Sequence, residues 1–153
     1  MFIICDIDGV LADVTELLPL ITGGNKDYEL YYSRIEEAKP LWRGLDIVQG
    51  LNRQAFLKYG AVYFITGRRE SSRQETIDWL QRHGACGEKI NLYMRKDGDL
   101  RSACKLKEEH LKVICKDIPF SDITVFEDDP QCVEMYVNYG CYVCHVKHEK
   151  ARS

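Results

Sequence analysis

The 153-residue sequence predicts an α/β protein, a parallel sheet with helices on both faces and a small helical insert after the first strand. Three observations predict it. Short apolar, β-branched runs alternate with longer segments whose apolar residues recur every three or four positions, which is the order of βαβ units. Three of the runs end in polar or acidic residues: Asp6-Ile7-Asp8, Thr66-Gly67-Arg68 and Glu127-Asp128-Asp129. In a parallel sheet such ends share one edge, just outside which ligands bind. Finally, there is no internal repeat, low-complexity tract or linker. Residues 1–153 therefore read as one domain, of ordinary size, with a cap insert at approximately residues 14–44.

The elements follow in order. Phe2–Cys5 is an apolar run that enters a polar, glycine-containing loop, the pattern of a buried strand. Thr15–Ile21 is a short apolar segment ended by Gly23-Gly24. In residues 25–37 Tyr28, Tyr31, Tyr32 and Ile35 form a helical stripe with Asn25 or Asp27 as N-cap, and Lys39-Pro40 ends it. Residues 45–59 set Leu45, Val48, Leu51, Phe56 and Leu57 on an amphipathic helix closed by Gly60. A strand at 61–65 precedes a helix at 71–83, which carries Ile77, Trp79 and Leu80 and stops at Gly84. A short strand at 90–93 leads to a helix at 102–115, with Leu106, His110, Val113 and Ile114 on one side. A strand at 123–126, a helix at 130–138 with proline in its first turn, a last strand at 141–146 and a polar tail complete the chain.

Composition narrows the function. The 45% hydrophobic and 29% charged content is that of a globular protein. A net charge of −3 argues against a broad basic surface for long duplex nucleic acid, while leaving room for a local basic site at one phosphate. No apolar run approaches the ~18 residues of a membrane span. The sequence opens directly on MFIICDID, without a basic lead or cleavage site, so a cytoplasmic location is expected. The seven cysteines, mostly in apolar contexts, read as reduced thiols. Nothing points to an obligate protein partner.

Asp6 and Asp8 repel each other and are costly to desolvate unless a cation joins them. The stretch DIDGVLAD resembles the first motif of the haloacid-dehalogenase-like phosphatases, and the further motifs follow in order over nearly the whole chain. The resemblance implies a Rossmann-like fold with a cap and Mg²⁺-dependent phosphoryl chemistry. Asp6 then matches the nucleophile that carries an aspartyl-phosphate, and Asp8 the general acid/base. Thr66, with the backbone N–H of Gly67, matches the holder of a phosphate oxygen, and Arg68 offers bidentate contacts to phosphate.

The third motif is a lysine, and both Lys105 and Lys107 lie in the right helix. Met94-Arg95, Gly98-Asp99-Leu100-Arg101 and Lys107 are similar to the pattern "MR…GDxR…K" of polynucleotide kinase-phosphatase phosphatase domains. That register selects Lys107. Lys105 lies about 200° round a helix from it, so one of the two faces the site. Arg95, Asp99 and Arg101 are expected on the substrate side. Ser102-Ala103-Cys104 lacks the acidic residue that usually follows the arginine.

Glu127 and Asp128 match the acidic metal-binding pair, with glutamate in place of the more usual aspartate, and Asp129 is a third candidate. Gln131–Tyr136 resembles the "QVVEMW" run of the same domains. The implied Mg²⁺ ligands are Asp6, Asp8 through its backbone carbonyl, Glu127 and Asp128. The implied reaction removes a phosphate, a 3′-phosphate by resemblance, from a nucleic-acid end. The rival substrates are free nucleotides or another small phosphomonoester, and the rival class is a silent binding module of the same fold. No GxxxxGK[ST] occurs, so a P-loop kinase activity is not expected.

Two weaker signals remain. Cys141-x-x-Cys144-His145-x-x-His148 has zinc-ligand types, but positions three apart on a strand face opposite ways. Tyr28, Tyr31, Tyr32 and Trp42 either stack on a nucleobase or serve as packing.

Overall fold

The structure, a computed structural model, describes residues 1–57 and 60–147. The first half contains β1 (Phe2–Cys5), β2 (Ala12–Asp13), α1 (Tyr28–Ser33), β3 (Lys39–Pro40), α2 (Trp42–Leu57) and β4 (Ala61–Arg69). The second half contains α3 (Arg73–Arg82), β5 (Asn91–Arg95), α4 (Ala103–Ile114), β6 (Ile123–Glu127), α5 (Pro130–Tyr139) and β7 (Tyr142–His145). Five strands form one parallel sheet in the order β5-β4-β1-β6-β7. The chain winds outward from β1 through β4 to β5, then returns to the other side of β1 for β6 and β7. The winding direction thus reverses at β1, and the crevice of such a sheet opens at that reversal.

Helices cover both faces, as the alternating pattern predicts. Leu45 and Val48 of α2 and Trp79 and Leu80 of α3 pack with Ile3, Cys5 and Phe64 on one face. Leu111 and Ile114 of α4 and Cys132 and Tyr136 of α5 pack with Ile4, Ile65 and Val125 on the other. β1 is apolar at every position because it is central and covered on both sides.

Residues 14–38 form an insert between β2 and β3, which pair antiparallel as a two-residue ribbon. The insert carries a 3₁₀ turn at Leu18–Leu20, α1 and a second 3₁₀ turn at Ile35–Glu37. Its exit is fastened where Trp79 Nε1 donates to the Ala38 carbonyl at 2.9 Å. Leu41 N donates to Leu11 O at 2.8 Å. A Cβ at Gly44 would lie 2.1 Å from the Val10 carbonyl oxygen, so the first turn of α2 presses directly on the loop after β1.

The structure departs from the pattern in several places. The helix expected over 25–37 is six residues long, capped by Asp27, whose Oδ1 accepts from Leu30 N at 2.9 Å. It stops where Ser33 Oγ bonds back to the Leu30 carbonyl. The expected 14–44 insert takes in the first three residues of α2, which begins at Trp42 rather than at Leu45. The expected end of that helix at Tyr59 lies outside the described residues. Phe56 and Leu57 are exposed (85% and 70%), and Ala55 takes the buried place at that end, because a helical angle does not tell where the sheet beneath stops. On α4, Leu111 is buried, Val113 is exposed, and Lys107 continues the buried stripe. A lysine reads as polar in a sequence pattern, which displaced the predicted face. β4 runs on through Thr66 to Arg69, with a register shift against β5 between Ile65 and Arg69. β2 and β3 are too short to show a period.

Candidate active site

The loop after β1 shapes the site. Asp6 N donates to Phe126 O at 3.0 Å, so pairing with β6 continues one residue past the strand. Asp6 Oδ1 accepts from Ile7 N at 2.8 Å, leaving the other oxygen to face inward. Gly9 turns the chain at φ +83°, a conformation L side chains rarely adopt. A Cβ there would lie 1.9 Å from Asp128 Oδ2, so only glycine lets the two loops meet.

The three strand ends converge as expected. Lys107 Nζ, buried in the second turn of α4, lies 2.9 Å from Asp6 Oδ2 and 2.7 Å from Glu127 Oε2. Glu127 Oε1 also accepts from the backbone N–H groups of Asp128 and Asp129 at 3.2 and 3.1 Å. Lys105 is exposed, and its backbone N–H donates to the Ser102 cap. Asp129 caps α5, Oδ1 accepting from Gln131 N at 2.9 Å. Asp6, Glu127 and Asp128 offer carboxylate oxygens all within 4.8 Å of one another. Among the described residues they are the one group of histidine, cysteine and carboxylate side chains close enough to share an ion. Of the zinc-type run, Cys141 is buried, His145 Nε2 lies 3.2 Å from the Asp128 carbonyl oxygen, and His148 is outside the described residues.

Thr66 is buried, and its Oγ1 accepts from Arg68 N at 3.2 Å. The Arg68 guanidinium is also buried. It donates Nη2 to Asp8 Oδ1 at 2.6 Å, Nε to the same carboxylate at 3.1 and 3.2 Å, and Nη1 to Thr76 Oγ1 at 3.3 Å. The arginine expected on phosphate is therefore occupied in orienting Asp8. Arg95 is occupied too: Nε donates to Gly67 O at 3.1 Å, and Nη1 to Asp99 O and Arg101 O at 2.9 and 2.6 Å. Arg101 Nη2 pairs with Asp99 Oδ2 at 2.7 Å. Arg95, Asp99 and Arg101 thus hold one another and fasten the loop between β5 and α4.

A cavity of about 910 Å³ opens above the carboxylates, lined by Asp6, Asp8, Asp128 and Lys107 and by Asp13, Glu16 and Tyr31 from the ribbon and the insert. A second cavity of about 340 Å³ adjoins it and shares Asp8, Tyr31, Gly67 and Ala103 as its wall. Trp42 lies elsewhere, in an apolar cavity with Cys5, Val10 and Val146. Sequence reasoning missed Arg69, Asp13 and Glu16 as cavity residues. The Arg68-Arg69 doublet after Thr66-Gly67 was the available signal for the first, and the other two depend on the ribbon.

Burial dominates the electrostatics. It pushes the Asp6 carboxyl up to about 8; Lys107 opposes the rise, and the negative charges of Glu127 and Asp8 add to it. Burial also raises Asp128, helped by Asp6. Burial alone would lower Lys107, but Asp6 and Glu127 hold it well above the ordinary lysine value. The site's own cation under-compensates its carboxylates. The all-oxygen donor set and this deficit of positive charge fit a hard divalent cation.

The family model described as the polynucleotide kinase PNKP phosphatase domain matches residues 1–150. No curated protein matches the sequence. Among solved structures, a chain of the Pnkp1/Rnl/Hen1 RNA repair complex superposes with TM-score 0.67 at 20% identity over 94% of this chain and 41% of that one. The class C acid phosphatase of Bacillus anthracis with tungstate bound gives TM-score 0.57 at 21% identity over 85% of this chain and 52% of that one. A HAD family enzyme of Bacteroides thetaiotaomicron, in complex with magnesium and inorganic phosphate, gives 0.54 at 12% identity over 98% and 96%. At these identities the likeness is one of fold. This chain spans about half or less of the first two structures.

Proposed function

The chain belongs to the polynucleotide kinase PNKP phosphatase domain family, and from that premise we propose that it is a Mg²⁺-dependent phosphomonoesterase that removes a 3′-phosphate from polynucleotide ends. One observation carries the reading: Asp6, Asp8, Lys107 and Asp128 line a single cavity at the carboxyl ends of β1 and β6, with Thr66 of β4 buried beside them.

In this reading Asp6 attacks phosphorus in line and carries the phosphoryl group as an aspartyl-phosphate. Arg68 keeps Asp8 turned to the leaving oxygen. Asp8 gives that oxygen a proton, then takes one from the water that hydrolyses the intermediate. The Lys107 ammonium, the Thr66 hydroxyl and the Gly67 N–H stabilise charge on the equatorial oxygens. Asp6, Asp128, the Asp8 carbonyl and Glu127 would hold Mg²⁺, which supplies the positive charge that Lys107 alone does not. Asp128 lines the cavity, whereas Glu127 is committed to Lys107 and two backbone N–H groups, so Asp128 is the more direct ligand. Residues 14–38 act as the cap, the site works in the cytoplasm, and Arg95, Asp99 and Arg101 shape the substrate side.

The RNA repair setting of one fold neighbour supports testing RNA as well as DNA ends. The cavity residues Asp13 and Glu16 favour a second reading, a phosphatase of free nucleotides, since the two carboxylates share the cation Lys39, which pairs with Glu16, and the negative excess repels a polyanion on that side. The test measures phosphate release from 3′-phosphorylated oligonucleotides, 5′-phosphorylated oligonucleotides and mononucleotides, with and without Mg²⁺. The 3′-phosphorylated ends should turn over fastest, only with Mg²⁺, and Asp6→Asn should abolish release. Release from mononucleotides alone selects the second reading. Activity that survives Asp6→Asn removes the nucleophile assignment.

A further inference from the structure

We infer that the smaller cavity is a nucleobase subsite, in which the terminal base is held between Leu100 and the Arg69–Tyr28–Tyr32 cluster; this rests on the polynucleotide reading of the neighbouring site.

The Arg69 guanidinium carbon lies 4.8 Å from the Tyr28 ring centroid and 5.2 Å from that of Tyr32. A guanidinium held against phenol rings makes a flat, cationic, polarisable surface, the kind on which a base stacks whatever its sequence. The nearest acidic group to Arg69 is Glu29, 3.9 Å away on a side chain that is 97% exposed, so its charge is weakly compensated. Leu100 also lines this cavity and is 91% exposed. It is not on a floppy tip, because Arg95 holds the carbonyls on either side of it, at Asp99 and Arg101. A rigid loop that presents one large apolar side chain to water offers a contact surface.

Charge sets the direction. The larger cavity carries Asp6, Asp8, Asp13, Glu16, Asp128 and Asp129 along its walls against Lys107, and Lys39 pairs with Glu16, so its walls keep a negative excess. The smaller one carries Arg68, Arg69, Arg95 and Arg101 against Asp8 and Asp99; Arg68 and Arg101 are paired with those two carboxylates, which leaves Arg69 and Arg95 as its positive excess. With a phosphate at Asp6, the rest of a polyanion is repelled from the first side and drawn to the second. The shared wall at Asp8, Gly67 and Ala103 puts the nucleoside next to its phosphate. The volume of about 340 Å³ accommodates one base and excludes a duplex.

The test is equilibrium binding, by fluorescence anisotropy, of 5′-labelled, 3′-phosphorylated tetranucleotides to the full chain carrying Asp6→Asn in Mg²⁺. One probe ends in a base and the other in an abasic residue. The base-ended probe should bind about tenfold more tightly. Adding Tyr28→Ala or Leu100→Ser should bring the ratio close to one, whereas Tyr28→Phe should preserve it. A ratio near one in the parent, or a ratio unchanged by both Tyr28→Ala and Leu100→Ser, overturns the subsite. A chain that releases phosphate but binds both probes alike keeps the phosphatase reading and loses this inference. An Asp6→Asn chain that shows the ratio while the wild type releases no phosphate from any of the substrates does the reverse.

Discussion

Lys107 is the residue at which the stability of the fold and the proposed chemistry meet. Its ammonium is buried between Asp6 and Glu127, at 2.9 and 2.7 Å. Removing one member of a buried ionic group leaves the others uncompensated, which costs far more than a surface pair is worth. Lys107→Met is therefore expected to destabilise the metal-free chain by roughly 3–5 kcal/mol and to abolish phosphate release. Lys105→Met, two residues away on the exposed side of α4, is expected to change stability by about 0.5 kcal/mol or less. Denaturant titration of both variants checks the contrast, and equal losses would contradict the assignment. The motif register pointed to Lys107 in the sequence; its burial as part of the α4 core face was not legible, because an ammonium counts as polar until its partners are known.

At the scale of elements, the insert depends on contacts with the main sheet's helices. Trp79 is fully buried on α3, and its Nε1–H holds the Ala38 carbonyl where the insert returns to the core. Trp79→Phe keeps most of the apolar volume but orphans that carbonyl, at a cost of about 2 kcal/mol, or roughly 4–8 °C in Tm. Amide exchange in residues 28–38 should accelerate more than exchange in β1 and β6. Uniform acceleration across the molecule would show that Trp79 serves the core alone. The element order, the parallel arrangement and the two helical layers were legible from periodicity. The β2–β3 ribbon that bounds the insert was not, since two residues per strand carry no period and their pairing bridges residues far apart in sequence.

At the scale of the whole molecule, the carboxylate cluster is expected to couple folding to pH and, in the proposed reading, to metal. The Asp6 carboxyl is raised from 3.8 to about 8, burial being the main cause. A group whose folded pKa is raised contributes stability that is fully present below its unfolded value and is lost as pH climbs through the folded value. In chelator, the wild-type chain should lose Tm relative to Asp6→Asn between about pH 4 and pH 8. If Mg²⁺ binds the folded chain as proposed, it should raise the Tm of the wild type and raise that of Asp6→Asn much less. Parallel Tm–pH curves for the two proteins would show that Asp6 does not carry the strain.

What the sequence determined by itself was local and periodic: the alternation of strands and helices and the polar ends of β1, β4 and β6, together with the motif register from which Asp6, Asp8, Thr66, Lys107, Glu127 and Asp128 are proposed as site residues. Tertiary structure alone decided how the remaining charges are spent. Arg68 turns out to hold Asp8, Arg95 to hold the carbonyls of Asp99 and Arg101, and Arg69 to lie against Tyr28 and Tyr32. A side chain's type states what it can bond to. Which of several competing partners it meets follows from distances of a few ångströms between elements far apart in the chain, and those exist only once the sheet has assembled.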